Sequence, residues 1–289
     1  MKFGIRYCNI GPYANPVGAV ELAQAAEAAG FESMWTTEHI VFPADHSSAY
    51  PYTSDGKIGA NLGSFDWPDP LIWLAYVAAA TSRIRLATGI LILPQHNPLQ
   101  LAKQVASLDH LSGGRVLLGV GVGWLREEAE AMGTSFDDRG QRADEYIQVI
   151  RELWSKPEPS FHGDFVRFPP SYMEPKPVHG TVPIIVAGEV NAAVRRAARL
   201  GDGFFPSRGL SVRQLELLRS SAEEYGRDPA EIEITVSMPT DLDLLPELAA
   251  QGVGRVLIPV NPAAGSSAPV SGIDDLPGWT HVIERYKDL

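Results

Sequence analysis

The stretch from residue 86 to 128, LATGILILPQHNPLQLAKQVASLDHLSGGRVLLGVGVGWLREE, constrains the fold more than any other part of this chain. It reads as an apolar strand, a helix and a second apolar strand. Neither strand alternates apolar with polar residues, which is the pattern of a parallel strand covered on both faces. The first carries a Gly89-Ile90 step where the backbone can meet a flat ligand. The second ends in Gly119, Gly121 and Gly123, which remove side chains where another group must approach. The expectation is a parallel α/β fold with a site at the carboxyl ends of its strands.

The same alternation runs through the chain. Strands are predicted over residues 3–7, 33–37, 85–93, 116–120, 182–187, 203–206, 232–237 and 255–260. Helices are predicted over 17–29, 70–82, 99–111, 139–154, 191–200, 212–225, 244–251 and 276–287. Eight strand–helix units match a (β/α)8 TIM barrel, whose usual size is about 250 residues, and the 289 residues fit one such domain over 1–289. An open doubly wound sheet is the alternative, and the lack of a central linker favours the barrel. Insertions are expected after strands 2, 4 and 8, over residues 40–69, 155–181 and 261–274. The second contains SFHGDFVRF, which reads as a hairpin turning at His162, Gly163 and Asp164. Gly30, Gly201 and Gly252 each follow an Ala-rich helix end and precede an apolar strand, so they are expected to be left-handed helix caps.

The net charge of −11 argues against a nucleic-acid or acidic-membrane surface. No apolar run approaches transmembrane length, and the first residues lack the apolar core of a signal peptide. The lone Cys8 excludes an internal disulfide and fits a reducing cytoplasm. It is expected to be a small buried hydrophobe.

What the strand ends lack narrows the chemistry. None of the six lysines stands at the carboxyl end of a strand, which disfavours a Schiff-base aldolase. The first strand ends Arg6-Tyr7-Cys8, with no His-x-His pair for zinc, and no ring of carboxylates appears. The positive features are few. Glu38-His39 closes the second strand; His39 there is a proton relay or a backbone-satisfied cap. Glu38 would orient His39, bind a polar ligand group or pair with an arginine. The amides of Gly188, Glu189, Val190 and Asn191 precede a helix and form an anion site, with Arg208 as a bidentate partner or a surface ion pair. Trp67 and Phe42 are the aromatics best placed for a pocket wall, while Trp35, Trp73 and Trp124 read mostly as packing.

Taken together, WTTEHI, LATGILILP, LDHLSGGRVLLGVGVGWLREE, FDDRGQRADEYIQVIRELW and PIIVAGEVNAAVRRAARLGDGFFPSRG resemble the luciferase-like flavin and deazaflavin oxidoreductases. The nearest likeness is to their actinobacterial branch that depends on coenzyme F-420. The resemblance covers nearly the whole chain and implies a TIM barrel with a deazaflavin ring at the carboxyl ends of its strands. It implies a non-prolyl cis peptide at Gly89-Ile90 backing the ring, with Thr88 beside it. It further implies that Gly121 and Val122 lie along the ring or its ribityl chain, and that Gly188, Glu189 and Val190 form the phosphate loop. His39 matches a His that contacts the cofactor or relays a proton. Relatives often have Gly-Gly or Gly-Ser where this chain has Gly188-Glu189. Some place a catalytic Glu near the end of strand four, a role filled here only if Glu127 or Glu128 reaches in.

The leading expectation is therefore an oxidoreductase moving hydride between F-420 and an unidentified small organic substrate. The alternative is a reduced-FMN monooxygenase using molecular oxygen, fed by a flavin reductase. A third reading is a barrel that binds flavin without catalysis. The resemblance also implies a homodimer.

Overall fold

A computed structural model describes residues 1–57, 66–206, 208–260 and 270–289. Its strands are β1 (Lys2–Arg6), β2 (Ser33–Thr36), β3 (Arg85–Thr88), β4 (Leu91–Ile92), β5 (Val116–Gly121), β6 (Phe161–His162), β7 (Arg167–Phe168), β8 (Ile184–Ala187), β9 (Gly203–Phe205), β10 (Glu233–Ser237) and β11 (Val253–Pro259). Its helices are α1 (Pro16–Ala29), α2 (Pro70–Ala78), α3 (Pro98–Ser112), α4 (Arg126–Ala131), α5 (Arg139–Ser155), α6 (Asn191–Leu200), α7 (Val212–Glu224), α8 (Leu245–Ala250) and α9 (Leu276–Tyr286).

Nine of these strands run parallel in the order β3-β2-β1-β11-β10-β9-β8-β5-β4, and a β3–β5 pairing closes the ring. β3 and β4 are two halves of one barrel position, so the fold is the expected eight-stranded TIM barrel with helices outside. The predicted strand over 85–93 is split into β3 and β4 at the Gly89-Ile90 step, whose peptide is cis as the resemblance implied. The hairpin forms as expected: β6 and β7 pair antiparallel, and the Gly163 amide donates to the Val166 carbonyl at 2.9 Å. It lies between α5 and β8. Of the predicted insertions, residues 58–65 and 261–269 lie outside the described residues.

One glycine differs from expectation. Gly30 and Gly252 have φ of 92° and 99°, the left-handed cap, but Gly201 has φ −86° and ψ 155°, which is extended backbone. Its need is space: a Cβ there would lie 3.0 Å from both the Ala197 and Gly203 carbonyl oxygens.

Two apolar cores result from the strand pleat. Phe3, Ile5, Met34, Leu86, Leu118 and their neighbours pack outward against the helices. Trp35, Ala87, Leu117, Ile185, Phe205 and Leu257 fill the barrel itself. Cys8 is fully buried, and burial pushes its thiol pKa up, which makes it a poor nucleophile.

The amino end of the barrel is closed by charge. Arg255, with no exposed surface, forms a bidentate pair with Glu32, both contacts at 2.9 Å, and a second ion pair to Glu233 at 2.6 Å. Its guanidinium also lies 5.6 Å from the Trp35 ring. A fully buried arginine must have its charge matched or its N–H groups hydrogen-bonded, and removing one member of a buried ion-pair set costs about 3–5 kcal/mol. Burial alone would raise the Glu32 pKa, but Arg255 outweighs it and holds the carboxyl below its ordinary 4.5. That stabilisation is present above 4.5 and is lost as pH falls through the depressed folded value. Urea denaturation of Arg255→Met should therefore show a loss of about 3 kcal/mol at pH 7. The gap to the unaltered protein should narrow as pH falls below 4.5; a gap that does not change with pH would refute the ion-pair origin.

Candidate active site at the carboxyl mouth of the barrel

The chain leaving β2 runs Thr37-Glu38-His39, and the two acid–base residues part company there. Glu38 is buried; its Oε2 accepts the Ile92 amide at 2.6 Å, and the His96 Nε2 lies 3.0 and 3.1 Å from its two oxygens. Burial would lower the His96 pKa, but the Glu38 carboxylate outweighs it and raises it. Glu38 thus pins the end of β2 to β4, immediately beyond the cis peptide, and does not orient His39.

Glu128 does that. This fully buried residue of α4 places Oε2 2.7 Å from His39 Nδ1. Its Oε1 accepts the amides of Ile40 at 2.7 Å and Val41 at 3.3 Å. Glu127 instead accepts from Ser47 and Ser48. A carboxylate on Nδ1 fixes that nitrogen as the N–H bearer and leaves Nε2 for other work. The His39 ring makes no other hydrogen bond with a described residue. Aromatic edges box it in: Trp67, Phe42 and Trp124 have ring centroids 5.1, 5.2 and 5.9 Å away. Asn9 and Trp67 brace the turn, the Asn9 amide donating to the Thr37 and Pro68 carbonyls and the Trp67 indole to Thr37.

At β3, β4 and β5 the glycines make room for this chain's own side chains. A Cβ on Gly121 would meet Ile90 Cδ1 at 2.8 Å, and one on Gly89 would meet Trp35 Cε3 at 2.8 Å. The Thr88 hydroxyl is spent on the Gly119 carbonyl at 2.7 Å. Val122 is partly buried and packs against the outer core. Close by, Gln95 is buried with its Oε1 lacking any partner.

Across the mouth, Gly188 has φ 142°, and Val190, 65% exposed, caps α6 without a side-chain hydrogen bond. An open cleft of about 720 Å³ lies there, lined by residues that include Glu189, Asn191, Ser211, Arg213 and Gln214. The amino ends of α6 and α7 both meet it, and Ser211 and Gln214 form the capping box of α7. Glu189 accepts the Arg208 amide at 2.8 Å, and its carbonyl accepts from Gln214. The Arg208 side chain turns elsewhere, donating to the Pro51 carbonyl and lying over Tyr52. The cation that lines the cleft is Arg213, a residue the sequence reading did not single out.

A family model for the luciferase-like monooxygenases matches residues 7–263. The chain belongs to that family. Among similar proteins, the F-420-dependent glucose-6-phosphate dehydrogenase of Kineococcus radiotolerans is 29% identical over 245 residues, covering 82% of this chain and 67% of its own. The FMNH2-dependent dimethylsulfone monooxygenase of Pseudomonas fluorescens is 35% identical over 188 residues, 64% of this chain and 46% of its own. The family therefore includes users of F-420 and of FMN. The coenzyme F-420 dependent tetrahydromethanopterin reductase of Methanopyrus kandleri shares the fold, with a TM-score of 0.76 at 17% identity over 99% of each chain. Among the described residues no cluster of His, Cys, Asp or Glu fits a metal ion, and no helix is long and apolar enough to cross a membrane.

Replacing Glu128 by Leu removes a carboxylate that holds His39 and two amides. Stability should fall by about 1–3 kcal/mol, because the donors left unpaired are only part-buried. Hydrogen exchange at the Ile40 and Val41 amides should rise more than elsewhere. Unchanged exchange there would show that Glu128 does not fix this turn.

Proposed function

We propose that this protein is an oxidoreductase that uses coenzyme F-420 on a small organic substrate bound in the aromatic mouth. The observation that carries this reading is the His39–Glu128 pair standing in an aromatic box at the same mouth as the cis Gly89-Ile90 step, with Ile90 packed over Gly121. F-420, when bound, supplies a two-electron hydride donor or acceptor, and the protein supplies position and protons.

The residues present fit such a group. Half-buried Ile90, whose side chain lies over Gly121, offers an apolar surface against which a tricyclic ring would lie, with the half-buried backbone of Gly89 and Val122 beside it. The backbone of Gly188, Glu189 and Val190 and the amino end of α6 suit a phosphate, because unpaired helix amides favour an anion. Arg213 adds positive charge to that cleft. His39 holds its proton inventory at Nε2, giving a proton to the substrate or taking one from it, while Glu128 keeps Nδ1 protonated and the ring aimed. Phe42, Trp67 and Trp124 exclude water around it, which strengthens each polar contact. We place the protein in the cytoplasm and expect a homodimer, with Ile72 and Tyr76, one turn apart on α2 and 71% and 51% exposed, at its interface.

The test is fluorescence titration of the apoprotein with F-420 and, separately, with FMN. Preferential binding of F-420 is expected. Binding of FMN alone would overturn the reading in favour of oxygen chemistry with a reductase partner, and binding of neither would favour a barrel of other function. Once turnover is measurable, His39→Ala should lower kcat by about 100-fold or more while leaving F-420 affinity within a few-fold; full retained turnover would remove His39 from the mechanism.

A further inference from the structure

Four arginines are buried among the described residues: Arg6, Arg115, Arg196 and Arg255. Three are fully engaged. Arg115 donates to the Ser112, Ile84 and Ala78 carbonyls and to Thr81. Arg196 pairs with Asp144 and donates to the Gly140 carbonyl. Arg255 is neutralised by Glu32 and Glu233. Arg6 alone has no hydrogen bond and no ion pair with a described residue, and its Nε is buried without a partner.

Its place in the barrel makes that absence informative. Phe3 and Ile5 of β1 face the outer core, and the missing Cβ of Gly4 faces Trp35, Ser33 and Leu257 inside the barrel. Arg6, two residues further on, therefore points inward, in register with Trp35 on one side and Pro259 on the other. It stands at the carboxyl end, 9% exposed, so its tip faces the mouth. The next residue, Tyr7, has φ 67°, a conformation that bulky residues rarely adopt. Its ring lies 4.7 Å from the Arg6 guanidinium carbon. Tyr50 completes the surroundings: its half-buried phenol is held in the neutral form by burial first, with Tyr7 and Tyr52 adding to that effect and Arg6 and Arg208 opposing it. The Tyr50 ring also packs 5.1 Å from Trp124, which borders His39. Arg6 and His39 thus belong to one continuous aromatic mouth.

The carboxylates that might neutralise Arg6 from the neighbouring strand end are already committed. Glu38 is bound to Ile92 and His96, and Glu128 to His39, Ile40 and Val41. A mostly buried guanidinium with neither counter-charge nor hydrogen bonds is costly, and an anion that arrives with the ligand remedies it. A single planar fork beside the Tyr7 ring matches a carboxylate in geometry and number of donors.

We propose that the substrate of this enzyme carries a carboxylate on an apolar or aromatic body, and that Arg6 binds it. This deepens the reading of the mouth as the substrate site. It makes Arg6 a specificity-determining residue distinct from the acid–base pair: the anion is anchored at β1 while the reacting carbon is presented toward His39.

The test is calorimetric titration of the whole protein with benzoate and with benzamide, which share a shape and differ in charge. Benzoate should bind and benzamide should bind at least about tenfold more weakly, the usual worth of a hydrogen bond to a charged group. Arg6→Met should abolish the preference, and Arg6→Lys, which keeps the charge but loses the fork, should retain it in weakened form. Equal binding of the two probes, or a preference that survives Arg6→Met, would overturn the proposal. Should Arg6→Met fail to fold, Arg6→Lys decides: a preference as strong as in the unaltered protein would overturn the role of the fork. F-420 titration of the same samples separates the two readings, because wild-type protein that prefers benzoate but ignores F-420 contradicts the cofactor assignment alone.

Discussion

The site depends on two crossed carboxylate–imidazole pairs that start from adjacent residues. Glu38 reaches back to His96 and the Ile92 amide, and His39 reaches forward to Glu128. Adjacent residues on an extended chain point opposite ways, so one turn after β2 ties together the segments that follow β3 and β5. The first tie holds the chain beyond the cis Gly89-Ile90 peptide in register. The second holds the imidazole and the first residues of the long loop. Neither pair is replaceable by packing alone, because each carboxylate also satisfies backbone amides that have no other partner.

Electrostatic asymmetry along the barrel axis follows from where the carboxylates went. At the amino end, Arg255 has two acidic partners and the barrel is sealed by matched charge. At the carboxyl end, the acids serve histidines and amides, and Arg6 is left facing the mouth. A floor of matched charge and a mouth holding one unpaired guanidinium let an anion bind at one end only.

The barrel was legible in the chain because its cause is local. Unbroken apolar runs and Gly-terminated helices report burial and capping one residue at a time, and the eight strand positions appear where they were expected. Gly201 shows the limit of even that logic: the residue type was right for a joint, but crowding by two carbonyl oxygens, not a left-handed φ, is its reason. His39 and the Gly89-Ile90 step stood out because they sit at strand ends in a recognisable context. Glu128 was offered only as one of two acids after strand four, with nothing to tie it to His39, and Arg6, Tyr50 and Gln95 carried no such signal. The partner of His39 is 89 residues away in the sequence, and no periodicity reports a contact of that span. Arg6 was read only as the absence of a zinc motif, because a buried cation without a counter-ion is visible only once every acid near it has been placed.

The most direct test of the account is a crystal structure of the protein loaded with F-420. The account predicts the deazaflavin ring lying against Ile90 and Gly121, with His39 Nδ1 still on Glu128 and Nε2 turned toward the open face of the ring. A ring bound away from that wall, or a His39 that has left Glu128 to serve only the backbone, would contradict it.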